Sequence, residues 1–217
     1  MPADFRSHLP VFLLACCLLG GCQSAYYSAW EKLGVHKRDI LVDRVADARD
    51  DQKEAKEQFQ SALEQFAAVV KIDGGDLEKK YNKLQSELDS SEAQAEDVRE
   101  RIRSVEQVAD ALFVEWEGEL GQYSNADLRR ASEKQLSDTR QRYGRLLAAM
   151  RRAESKMEPV LKVFRDQVLF LKHNLNARAI ASLQTTVVQL ETDVTGLIRE
   201  MQASINEADS FLKSMEK

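Results

Sequence analysis

Residues Leu77–Trp116, LEKKYNKLQSELDSSEAQAEDVRERIRSVEQVADALFVEW, decide the fold. Stepping alternately four and three residues along them gives Leu77, Tyr81, Leu84, Leu88, Ser91, Ala95, Val98, Ile102, Val105, Ala109, Leu112 and Trp116. Only Ser91 interrupts an apolar or aromatic ladder, while the residues between are mostly charged or amides. A mean period of 3.5 held over that length is the signature of a helix with a continuous packing seam, which supercoils left-handedly against its neighbours.

Working outward, three more ladders appear. Before it runs Leu41, Val45, Ala48, Gln52, Ala55, Phe59, Ala62, Phe66 and Val69, broken only at Gln52. After it comes Leu136, Thr139, Tyr143, Leu146, Met150, Ala153, Met157, Val160 and Phe164, broken at Thr139. The last is Ile180, Leu183, Val187, Leu190, Val194, Leu197, Met201, Ser204, Ala208, Phe211 and Met215, broken at Ser204. Leu63, Val70, Val108, Leu147, Leu161, Val163, Ile198, Ile205 and Leu212 widen these seams. A wide apolar face implies more than two helices around a shared core. The predicted fold class is therefore all-α: an elongated antiparallel bundle of about four long helices, over 38–72, 76–121, 125–173 and 177–216.

The breaks between ladders carry turn chemistry. Asp73-Gly74-Gly75-Asp76 separates the first two, with Asp76 placed to cap the second. Gly118 and Gly121 close that helix, and Ser124-Asn125-Ala126-Asp127 reads as a capping box with Asp in the place of Glu. Pro159 inside the third ladder predicts a kink or restart. His173-Asn174-Leu175-Asn176 has the composition of a reversal, and Gly196 predicts a close approach of two helices. The apolar run Val160–Leu171 is predicted to be the most buried part of the bundle, or else a partner surface.

The N-terminus has a different character. Arg6 and His8 precede the apolar run Leu9–Leu19, which ends in Gly20-Gly21-Cys22. The run is too short for a membrane-spanning helix but has the length of a secretory leader. Leu19-Gly20-Gly21-Cys22 resembles the lipobox cut by lipoprotein signal peptidase, in which the cysteine carries diacylglycerol and its freed amine is then commonly acylated. Leu13-Leu14-Ala15-Cys16 fits loosely, but would leave too short an apolar core. Residues 1–21 are thus predicted to be a signal peptide, with Cys22 as the lipidated start of the mature chain. Two or three acyl chains hold a protein on a membrane far more firmly than one. Gln23 is not the Asp that resembles an inner-membrane retention signal, so the predicted location is the outer membrane, facing the periplasm. The other cysteines, Cys16 and Cys17, leave with the leader, so no disulfide, zinc site or thiol nucleophile is expected.

Residues 22–37 are predicted to be an anchored linker, and 38–217 the bundle domain. The linker pairs interfacial aromatics, Tyr26, Tyr27 and Trp30, with the basic cluster His36-Lys37-Arg38. Rings favour the headgroup level and basic residues favour anionic lipid, so these six form a candidate membrane collar. The competing reading is that Trp30 and Leu33 pack on the end of the bundle.

The search for catalysis returns no motif. There is no phosphate loop, GxGxxG, GxSxG or HExxH. Bundle di-iron sites need Glu-x-x-His, yet Leu33 and Phe170 stand three before His36 and His173. Glu115-Trp116-Glu117-Gly118-Glu119 lacks EF-hand spacing and reads as a solvated helix end. Neither cofactor nor metal is expected, and no enzyme activity. A net charge of −5 with no basic stripe argues against nucleic acid. Arg99–Arg103 and Arg140–Arg142 read as outward faces paired along their helices.

Two blocks carry a resemblance. Tyr26–Arg44, YYSAWEKLGVHKRDILVDR, and Phe170–Leu183, FLKHNLNARAIASL, are similar to a family of uncharacterised bacterial proteins classed as lipoproteins, known only as a domain of unknown function. The resemblance implies a helical, exported protein and supplies no activity. The terminal Lys217 also resembles the last residue of the major outer-membrane lipoprotein of enteric bacteria, which is joined to peptidoglycan. The function expected is a lipid-anchored periplasmic rod acting as scaffold or adaptor for an envelope protein, with self-association left open. The alternative is a dimeric membrane-surface module that senses or shapes the bilayer.

Overall fold

The computed structural model describes residues 34–71, 76–174, 176 and 183–216. The predicted leader with Leu19, Gly20 and Gly21, the lipidation residue Cys22, and Tyr26, Tyr27 and Trp30 lie outside the described residues. So do the turn at 73–75 and Lys217.

Four long helices account for the rest: α1 (Lys37–Lys71), α2 (Leu77–Glu119), α3 (Ala126–His173) and α4 (Gln184–Met215). A 3-10 turn, Leu120–Gln122, extends α2. Each helix packs on two neighbours in the cyclic order α1, α2, α3, α4, the square of an up-down-up-down bundle. Cross-helix pairs show all four contacts to be antiparallel. Arg101 meets Asp51 at 2.7 Å and Lys37 meets Glu115 at 2.8 Å between α1 and α2. Arg165 meets Glu92 at 2.6 Å and Arg99 meets Glu158 at 3.0 Å between α2 and α3. Arg152 reaches Glu200 at 3.6 Å, and Arg49 reaches Asp209 at 3.1 Å, closing α4 onto its two neighbours. At 1.5 Å per residue α3 is about 70 Å long, so the bundle is a rod.

The core is the set of ladders. Every described ladder residue from Leu41 to Val69 is buried, as are those from Leu84 to Leu112, Leu136 to Phe164 and Leu183 to Met215. Phe66 and Phe164 meet edge to face at 5.9 Å and Phe113 and Tyr143 at 5.4 Å, a favoured aromatic geometry. The four polar exceptions, Gln52, Ser91, Thr139 and Ser204, are buried too. Packing overrides polarity at those positions, because turning one seam residue outward would rotate the whole helix.

The cap expected at Asp76 is present, and several other local expectations change. Asp76 caps α2, its carboxylate accepting from the Lys79 N–H at 3.1 Å. For α3 the cap is Asn125 rather than Ser124, its side-chain oxygen accepting from the N–H groups of Asp127 and Leu128 at 2.8 and 3.2 Å. Helix α3 continues through Pro159 without a restart. Pro159 and Ser155, whose carbonyl loses its helical donor to the proline, are both exposed, so water can solvate that carbonyl. Gly196 makes no close approach, since a Cβ there would meet nothing within 4 Å. Helix α4 starts at Gln184, with Leu183 a turn residue before it. The Val160–Leu171 run divides: Val160, Leu161, Phe164, Val168 and Leu171 are core, whereas Leu169 and Phe170 are exposed.

Candidate functional site

The chain enters the bundle at one end, and that end holds the described part of the predicted collar. Gly34 has φ of 83°, which glycine adopts without strain. His36 then starts α1, its carbonyl accepting from the N–H groups of Asp39 and Ile40 at 2.9 and 3.1 Å. The C-termini of α2 and α4 and the start of α3 lie at the same end, as the antiparallel order requires.

The three basic residues do not form one outward cluster. His36 and Arg38 are exposed, but Lys37 is only 9% exposed. Lys37 points across to α2, where its Nζ pairs with Glu115 Oε1 at 2.8 Å. Helical geometry explains the division, since consecutive residues project about 100° apart. The Arg38 guanidinium donates to the backbone carbonyl of Met215. A cation there complements the carbonyls that the end of α4 leaves exposed. Two of the three basic side chains thus fasten α1 to α2 and α4.

Around them lies an open cleft of about 450 Å³ lined by His36, Lys37, Arg38, Leu112, Glu115, Trp116 and Glu119. It mixes both signs of charge with one half-buried indole. Trp116 donates from Nε1 to Ser132 Oγ at 2.8 Å, tying α2 to α3 at the height where Lys37 meets Glu115. Glu117 turns the other way and pairs with Arg140, which lowers the carboxyl and raises the guanidinium. The Arg140 guanidinium also lies 5.2 Å above the Phe113 ring. Glu115 and Glu117 therefore each engage a cation of another helix. Among the described residues, no three His, Cys, Asp or Glu side chains cluster closely enough to hold a metal ion. None of the described helices is long and apolar enough to cross a membrane. His173, the other histidine of the bundle, lies at the far end, in the last turn of α3.

Beyond the Trp116–Ser132 level the α2–α3 hairpin runs past the start of α1 and the end of α4, with no other described helix beside it. All residues from Gly121 to Ala131 are exposed, with Tyr123 at 43% and Leu128 at 58%. The sequence held a signal for this that went unread: the third ladder starts only at Leu136, so Leu128 belongs to no seam. Val114, 70% exposed on α2, is likewise off its ladder.

The arginines read as self-paired faces do more than that. Arg99 pairs with Glu96 on its own helix and with Glu158 on α3, and Arg101 pairs with Asp47 and Asp51 on α1. Arg103 stays within its helix, on Glu96 and Glu100.

No curated protein matches this chain. Residues 26–215 match the family described as "Protein of unknown function (DUF2959)". That span takes in the whole four-helix bundle, Lys37–Met215, and the chain belongs to this family of unknown function.

Proposed function

We propose that the protein is a non-enzymatic, lipid-anchored helical post of the bacterial envelope, held at the periplasmic face of the outer membrane by acylated Cys22 and serving as scaffold or adaptor for an envelope protein. The observation that carries this reading is end-on entry. Helix α1 begins at one extremity of the rod, beside the Lys37–Glu115 pair. A lipid at Cys22 lies about twelve residues before Gly34, a reach of at most ~40 Å of extended chain. Such a tether would hold one end near the bilayer and leave the flanks of the rod free for a partner. The flanks suit that role: ion pairs between neighbouring helices stiffen the bundle while leaving its surface polar.

The membrane-shaping alternative calls for a one-sided basic face. Here each of the four helix contacts includes an arginine paired with a carboxylate of the neighbouring helix, which supports the end-anchored post as the better reading. Replacing Cys22 by Ser tests it. The variant is expected to leave the membrane fraction and appear in the soluble periplasm, and its persistence in the membrane fraction would overturn the anchor. Crosslinking from exposed positions on α2 and α3 in intact cells, followed by mass spectrometry, is expected to recover one envelope protein. Recovery of lipid alone would overturn the adaptor role.

A further inference from the structure

We propose that the projecting α2–α3 hairpin is a second membrane contact, which inserts Tyr123 and Leu128 among the lipid headgroups and sets the rod upright on the bilayer. The proposal rests on the lipid-anchor reading and adds a surface to it.

Three observations lead there. First, height: Lys37 meets Glu115, and Trp116 meets Ser132, so the start of α1, the end of α2 and residue 132 of α3 share one cross-section. The six helical residues Ala126–Ala131 lie past that section, on the side from which the chain enters. At 1.5 Å per residue they extend roughly 9 Å beyond α1, about the depth of a headgroup layer. With the rod upright on this end, a tether that brings the start of α1 to the bilayer brings the hairpin there first.

Second, chemistry: the tip exposes a tyrosine and a leucine on a capped, rigid turn. Tyrosine favours the interface because its ring is apolar and its hydroxyl wet. The cap of α3 does not call for the exposed leucine, because the Asn125 side-chain oxygen accepts from the backbone N–H of Leu128 and makes no use of its side chain.

Third, charge: Arg130 pairs with Asp127, and Arg129 pairs with Glu133 at 2.8 Å. The charges of the tip are therefore matched internally, and the contact depends on apolar insertion rather than on anionic lipid. Two side chains bury too little area to hold a protein of this size alone. The acyl chains supply the affinity and the hairpin supplies the orientation.

The test uses the full acylated protein in phosphatidylcholine vesicles, where Cys22 carries the lipid and leaves no other thiol. Variants Leu128→Cys and Val188→Cys, the second exposed on α4 at the opposite end of the rod, are each labelled with an environment-sensitive fluorophore. Expected at 128 are a blue shift and quenching by nitroxide-bearing lipid, unchanged by salt or by added phosphatidylglycerol, with neither effect at 188. Vesicle flotation without quenching at 128 would overturn the proposal and leave the anchor standing. Quenching at both positions would mean a rod lying flat and would overturn it too. Failure of the protein to float would overturn the anchor reading, and this inference with it.

Discussion

Two glutamines on one helix predict opposite responses to the same substitution. Gln52 and Gln58 both lie on α1. The Gln52 side chain is fully buried, and neither its Nε2 nor its Oε1 has a hydrogen-bond partner. The pairs Arg49–Asp209 and Lys56–Gln202 bracket it against α4, where Ser204 is also fully buried, its Oγ equally unpartnered. The Gln58 amide nitrogen is engaged, donating to Glu87 Oε2 at 3.0 Å, to the Glu87 carbonyl at 3.3 Å and to Ser91 Oγ at 3.4 Å. Burying an amide without a partner costs about 1–3 kcal/mol on the scale of protein mutants. Leucine at 52 removes that cost at similar volume, with repacking offsetting less than ~1.5 kcal/mol. Gln52→Leu is therefore expected to stabilise the fold by about 2 kcal/mol, or roughly 4–8 °C in Tm for a chain of this size. Gln58→Leu is expected to destabilise by about 1–3 kcal/mol, since it strips donors from a buried carboxylate. Urea titrations of the two variants beside the parent read both numbers. A loss of stability in Gln52→Leu, or changes of the same sign in both, would refute the reasoning, because it would mean that the amide at 52 is satisfied by something other than protein groups.

Other outcomes follow from the same structure. Gly144→Ala and Gly196→Ala each place a Cβ in open space inside a helix. Each should raise stability by about 0.5–1 kcal/mol in urea melts, whereas a loss at 196 would restore the close approach that its position in the sequence suggested. Phe59→Ala should cost about 3–5 kcal/mol, because that ring is fully buried, while Val114→Ser should stay within about 0.5 kcal/mol. Burial pushes the Glu87 carboxyl up, but Lys83 at 2.8 Å, with Gln58 and Ser61, outweighs it and holds the group below its ordinary value. A lowered folded value means that stability present above the ordinary carboxylate range is lost as pH falls through the folded value. The Tm of the parent should therefore fall more steeply below about pH 4.5 than that of Glu87→Gln, and parallel curves would sink this assignment. Asp50, held at about 2 by Arg49 and then Lys53, contributes less despite its shift, because its side chain is 53% exposed and screened by water.

The four-three spacing specified the fold through its exceptions as much as its matches. A serine at 91 or 204 and a glutamine at 52 keep their inward positions because dozens of apolar neighbours fix the rotation of each helix. The ladder states which face of a helix turns inward, but not whether another helix stands opposite at that height. Val188 and Ile205 both sit one residue after a seam position, yet Ile205 is buried in mid-rod and Val188 is 66% exposed near an end. The site suffered from the same gap. His36, Lys37 and Arg38 are adjacent in sequence, and only the positions of α2 and α4 turn one into a buried partner of Glu115 and another into a donor to the end of α4. The hairpin tip was hidden for the converse reason: Leu128 looks unremarkable until the other helices are seen to stop short of it. Axial height, the quantity that a heptad leaves out, determines which helices reach past the others at the end where the chain enters.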